Sequence, residues 1–133
     1  MISYLIDTDW TVDYLNDRPT ATQLFSSLAG EGIAISLFTY AELYDGALGS
    51  SAPERRVDQL QSLVDSLDVI PFDSETAREF ARIRIALRFA GEPIPDMDVL
   101  IAATAIRHQV TLISRDRHFQ RVPNLKLRGW PNV

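Results

Sequence analysis

Six aspartates and glutamates in this chain sit where acids can do chemistry, at the junctions between apolar runs and helix starts. Asp7 follows the apolar stretch 2–6, and Asp9 lies two residues on. Glu42 closes the pattern Ser36-x-x-Thr39-x-x-Glu42, just past a second apolar run. Asp96 and Asp98 open the stretch Val99-Leu100-Ile101-Ala102-Ala103, and Asp116 follows residues 110–114. In an open α/β sheet, ligands bind beyond the carboxyl ends of the strands, which is where these acids fall. Close-packed carboxylates raise one another's pKa values, so a cluster of Asp7, Glu42, Asp98 and Asp116 calls for a bound cation. Oxygen-only ligation favours Mg²⁺, with Mn²⁺ as a substitute, over zinc. Such a site suits phosphodiester hydrolysis, because it activates a water and stabilises the leaving oxygen. His108, near a helix end, and His118, read as a surface or phosphate-facing residue, stand outside this expected ligand set.

Each acid also has a plainer role. Asp7 and Asp9 suit a helix N-cap, and so does Asp96. Thr39-x-x-Glu42 reads as a capping box, in which the glutamate returns to the backbone N–H of the cap. Asp98 is the less ordinary case. At about 100° per residue it shares a face with Ile101, Ala102 and Ala105, so it loses water and needs a partner.

The elements that must position these acids follow from the pattern of apolar runs and breakers. Short β-prone runs at 2–6, 33–36, 69–72, 110–114 and 125–128 read as strands of a buried, mainly parallel sheet, with Trp130 packing behind the last. Between them lie helical segments. One carries Trp10, Val12, Tyr14 and Leu15 and stops near Pro19; a second, capped by Thr20, carries Leu24, Phe25 and Leu28 and ends at Gly30-Glu31-Gly32. A third runs from Thr39 through Leu48, and Pro53 opens a fourth. Asp73 or Ser74 caps a long fifth helix to about Ala90, and Asp96 caps the sixth. The expected fold is an α/β/α sandwich over four to five strands, one domain spanning residues 1–133.

With no cysteine, neither a disulfide framework nor a thiolate metal site is available. The chain starts without a basic signal region or a membrane-length apolar run, which leads to the expectation of a cytoplasmic protein. A net charge of −5 argues against simple electrostatic capture of nucleic acid, yet two divalent ions would offset most of it. Lys126 is the only lysine beside many arginines, a side chain suited to bidentate phosphate contact.

Four segments in order, Leu5-Ile6-Asp7-Thr8-Asp9, Ser36-x-x-Thr39-x-x-Glu42-Leu43, Asp98 through Ala105, and Leu112-Ile113-Ser114-Arg115-Asp116-x-x-Phe119, resemble the PIN-domain ribonucleases, and specifically the VapC-type toxins of bacterial toxin–antitoxin pairs. The resemblance implies a PIN-like fold and a Mg²⁺-dependent endoribonuclease. It further implies that Asp7 and Asp98 hold the ion, that Asp116 helps directly or through water, and that Glu42 orients or deprotonates the attacking water. Ser114 stands where the family often has threonine and would hydrogen-bond an acid, with Asp9 and Asp96 auxiliary. An RNA substrate, a cognate VapB-type antitoxin lying over the acidic groove, and a homodimer are implied as partners.

Two other classes compete. Asp7-Thr8-Asp9-Trp10-Thr11 also fits the Asp-x-Asp-x-Thr opening of haloacid-dehalogenase-like phosphatases, whose first aspartate is a nucleophile. That family needs a lysine before its last acidic motif, whereas Lys126 follows both Asp98 and Asp116. A phospho-accepting receiver domain fails on the same lysine. The third class is a non-catalytic PIN-fold module that binds RNA or protein, against which the retention of all four acids speaks.

Overall fold

The computed structural model describes residues 1–129. Five strands form one sheet: β1 (Tyr4–Ile6), β2 (Ile33–Ser36), β3 (Asp68–Ile70), β4 (Thr111–Ile113) and β5 (Leu127–Arg128), in the order β3-β2-β1-β4-β5. All four pairings are parallel, so every carboxyl end lies on one edge. β3, whose following residue is Pro71, lies at the edge of the sheet as its proline suggested. The expectation for Trp130 falls outside the described residues.

Alternation along the strands divides the interior into two cores. Leu5, Ala34 and Leu112 point into one, and their next neighbours Ile6, Ile35 and Ile113 point into the other. Each of these six is fully buried. On the first face pack α5 (Ser74–Ala90), through Ile83 and Leu87, and α6 (Asp96–His108), through Val99, Ile101, Ala102 and Ala105. On the second lie α1 (Thr8–Leu15), α2 (Pro19–Leu28), α3 (Leu37–Leu48) and α4 (Pro53–Val64), which contribute Trp10, Leu24, Phe25, Leu43 and Leu60. Each such side chain taken from water contributes about 1.5–3 kcal/mol. The alanines of α6 that face this core, Ala102 and Ala105, are fully buried in it.

Helix starts are where the sequence reading needs correction. α2 begins at Pro19 itself, with Arg18 before it and no side-chain cap, so Thr20 lies inside the helix. Proline is well suited to this first position, since its missing N–H would be unpaired there anyway. α3 is capped by Ser36, whose Oγ accepts the Thr39 N–H at 3.0 Å, so the Thr39-x-x-Glu42 capping box does not form. α6 starts after Pro95, and Asp96 is its first residue rather than its cap. Asp73 does cap α5, accepting from both the N–H and the hydroxyl of Thr76.

At the opposite edge of the sheet, Gly32 (φ 77°) turns the chain into β2. Its carbonyl accepts from the N–H groups of Ser3 and Tyr4, and a Cβ there would meet the Met1 carbonyl oxygen at 1.9 Å. The turn therefore requires glycine, and it aligns β2 with β1.

Candidate active site

The centre of the site is the first residue after the central strand. The N–H of Asp7 donates to the Ile113 carbonyl (3.0 Å), continuing the β1–β4 ladder by one step and setting its side chain beside Ser114. Asp7 is 4% exposed. Its Oδ1 accepts the Thr8 N–H (2.8 Å) and its Oδ2 accepts the Ser114 hydroxyl (2.7 Å). Ser114 Oγ in turn accepts the N–H of Asp116 (3.0 Å), so one hydroxyl ties the two acids together. Burial pushes the Asp7 carboxyl up to about 6, against the two hydrogen bonds, with Asp9 and Asp98 pushing the same way.

Asp98 comes from the first turn of α6, on the side that packs against the sheet, and its side chain is 23% exposed. Burial raises its pKa; the nearby imidazole of His118 opposes this and Asp116 adds to it. The Nε2 of His118 lies 2.9 Å from Asp98 Oδ2 and 3.8 Å from Asp116 Oδ2. The 2.9 Å approach sets the imidazole against the Asp98 carboxylate, a contact that is an ion pair only when the ring is protonated. The turn after β4, residues Arg117–Arg121, with Phe119 buried as its anchor, swings the imidazole inward. His118 therefore stands within the acid cluster: of the two sequence readings, surface or phosphate-facing, the surface one does not hold, and its ring belongs with the ligand atoms from which the sequence reading left it out.

Two overlapping groups result. Asp7, Asp9 and Asp116 each bring a carboxylate oxygen within 4.8 Å of the others, and so do Asp98, Asp116 and His118 with their ligand atoms. Asp116 belongs to both, with its side chain 45% exposed. These donors fit a hard divalent cation: they are nearly all carboxylate oxygens, one is buried at the cost of a raised pKa, and the single imidazole is better tolerated by Mn²⁺ than by Mg²⁺.

Glu42 belongs to neither group. It is exposed on α3, and its Oε1 accepts the Thr8 hydroxyl at 2.7 Å. Asp96 is turned away as well, with its Oδ1 3.0 Å from Arg84 Nε in an exposed ion pair. The loop that carries Asp116 is held down by Arg115, whose guanidinium lies 4.3 Å above the ring of the buried Trp10 and 2.8 Å from Asp13. Sequence reasoning missed Thr8 and His118. The signal for Thr8 was its position between two acids at the exit from a strand; for His118 there was none, because its approach depends on the turn after β4.

The PIN domain family model matches residues 4–125, which include every acid of this cluster, and the chain belongs to the PIN-domain family. It is 31% identical over 132 residues to ribonuclease VapC2 of Haemophilus influenzae, and 27% identical over 131 residues to the tRNA(fMet)-specific endonuclease VapC of Salmonella typhimurium. Both comparisons cover 98% of this chain and 99% of the relative. The fold matches a chain of VapBC2 from Rickettsia felis, solved bound to a DNA fragment from their promoter, with a TM-score of 0.90, 32% identity, and coverage of 98% of this chain and 99% of that chain. Within the family it is a VapC-type ribonuclease.

Proposed function

We propose that this chain is the toxin of a type II toxin–antitoxin pair, a Mg²⁺-dependent endoribonuclease that hydrolyses phosphodiester bonds with water. The observation that carries the proposal is the gathering of Asp7, Asp9, Asp98 and Asp116 at one sheet edge, with Asp7 buried at an energetic cost that a cation would offset. Asp7 and Asp98 would hold the ion, Asp116 would assist directly or through water, and Ser114 keeps Asp7 in one orientation. A bound divalent ion supplies a water of lowered pKa and charge at the scissile phosphate. Glu42, anchored on one oxygen, presents its other oxygen to orient or deprotonate that water. Asp9 is an auxiliary acid.

The substrate class we assign is structured RNA, with transfer RNA first, because the Salmonella relative is named for tRNA(fMet). Solved relatives from Rickettsia felis and Salmonella typhimurium are VapBC complexes, which supports a VapB-type antitoxin as partner, with a homodimer the expected assembly. No helix among the described residues is long and apolar enough to cross a membrane, which agrees with a cytoplasmic site of action. Lys126, which a phosphatase would need beside the acids, precedes β5 and so lies toward the opposite edge of the parallel sheet.

The test is induced expression of wild type and Asp98→Asn with growth followed, then incubation of the purified proteins with total cellular RNA, with Mg²⁺ or with EDTA. Growth arrest and RNA cleavage by wild type alone, abolished by EDTA, is the expected result. Equal activity of the variant would remove Asp98 from the site. RNA left intact by both would favour the non-catalytic module.

A further inference from the structure

Thr8 touches both halves of the site. Its backbone N–H holds Asp7, and its hydroxyl meets Glu42 Oε1 at 2.7 Å and Thr39 Oγ1 at 3.0 Å. Ser36 Oγ donates to Thr39 Oγ1 at 3.3 Å. Each hydroxyl has one proton to give, and the Glu42 carboxylate has none. The direction of the row is therefore fixed: Ser36 donates to Thr39, Thr39 to Thr8, and Thr8 to Glu42. Ser36 and Thr39 are fully buried, so water does not compete for their hydroxyls. Glu42 is exposed, and Thr8 is its sole side-chain hydrogen-bond partner among the described residues. Without that anchor a surface glutamate is spread over many rotamers.

We propose that Thr8 is a positioning residue for Glu42, and that the buried hydroxyls of Ser36 and Thr39 polarise and orient it for that task. This rests on the function proposed above, in which Glu42 acts on the attacking water. The row fixes Oε1 and leaves Oε2 as the reactive oxygen. Hydrogen bonds in a chain strengthen one another, and one that ends on a charge is among the strong ones.

The experiment compares wild type, Thr8→Val, Thr8→Ser, Glu42→Gln and the double variant Thr8→Val/Glu42→Gln. The readout is single-turnover loss of intact RNA from total cellular RNA in Mg²⁺, with enzyme in excess, so that the plateau rate is separated from the half-saturating enzyme concentration. Calorimetric titration with Mn²⁺ and thermal melting accompany it. Thr8→Val keeps size and the N–H to Asp7, so it is expected to lower the plateau rate about 10- to 100-fold while half-saturation and Mn²⁺ affinity hold. Thr8→Ser should recover most of the rate. The double variant should be no slower than Glu42→Gln.

Wild-type rate in Thr8→Val, failure of serine to rescue, or multiplicative losses in the double variant would overturn the role of Thr8. A dead Glu42→Gln beside a fully active Thr8→Val overturns this inference alone. An active Glu42→Gln overturns the role given to Glu42 on the attacking water, and RNA left intact by wild type overturns the proposed function itself. Thr39→Val extends the test inward, and should its buried site fail to fold, Thr8 at the rim still decides.

Discussion

Asp7 and Glu42 reach the same edge of the sheet by opposite physical routes. Asp7 is held by the fold: it is buried, its backbone extends a strand ladder, and two donors grip its oxygens. Glu42 is held by a single hydroxyl on an otherwise exposed helix face. The first arrangement costs stability, because a carboxylate is kept from water; the second costs none but leaves position to one hydrogen bond. A site divided this way has a rigid floor for binding charge and a rim whose geometry is set separately.

The substitution that separates the two most sharply is Asp7→Asn. It should abolish RNA cleavage while stabilising the metal-free protein at neutral pH. Asp7 binds its proton more tightly when folded (about 6) than at its ordinary value of 3.8. Its contribution to stability is thus fully present below pH 3.8 and is lost as the pH rises through about 6. The gap corresponds to about 3 kcal/mol. Denaturant unfolding of wild type and Asp7→Asn at pH 7.5 and pH 4, in EDTA, measures it: the variant's advantage should shrink toward the acid end. Added Mg²⁺ should raise the wild-type melting temperature at pH 7.5, more weakly at pH 5, and not in the variant. An advantage unchanged with pH would mean that Asp7 is not desolvated in solution.

At the rim, Glu42→Gln should slow cleavage about 10²- to 10⁴-fold, the range of general-base catalysis. Melting should barely move, since an exposed substitution usually stays within about 0.5 kcal/mol. A large drop in melting temperature would show that Glu42 belongs with the floor. Ser114→Ala comes next. Removing the donor leaves the Asp7 charge less supported, so cleavage should fall about 10- to 100-fold and its acid limb should move to higher pH. A pH–rate profile checks the direction. The smallest effect is expected from Asp96→Asn, which breaks only the exposed pair with Arg84, worth at most about 1 kcal/mol. Cleavage by that variant within about twofold of wild type would separate Asp96 from its neighbour Asp98; a large loss would make it a true auxiliary acid.

The floor was legible in the sequence because strand ends and apolar alternation are local signals. Residues 2–6 and 110–114 identified β1 and β4, and the acids following them had to meet once the strands paired in parallel. The helix starts were harder to read. Ser36, Thr39 and Glu42 are spaced by three, so two capping patterns were available, and the structure uses the earlier one. That choice freed Glu42 from the helix end. Pro95 and Asp96 pose the same ambiguity, resolved by an arginine twelve residues back in the chain. The hydroxyl row and the inward turn of His118 were not legible, because they depend on how α1 lies beside α3 and on the turn after β4, neither of which leaves a periodic trace.

The central place of β1 also sets a timetable. The first strand of the chain pairs with the fourth, and the Ser114–Asp7 bond spans 107 residues of sequence. On the ribosome, Asp7 emerges 107 residues ahead of Ser114 and must wait for it, for Asp116 and for the β4 ladder before it has a neighbour on that side. Contacts so distant in sequence close late. A nascent chain can carry Asp7, its hydroxyl row and most of its helices and still lack the centre, which is completed only once β4 and the loop behind it have followed.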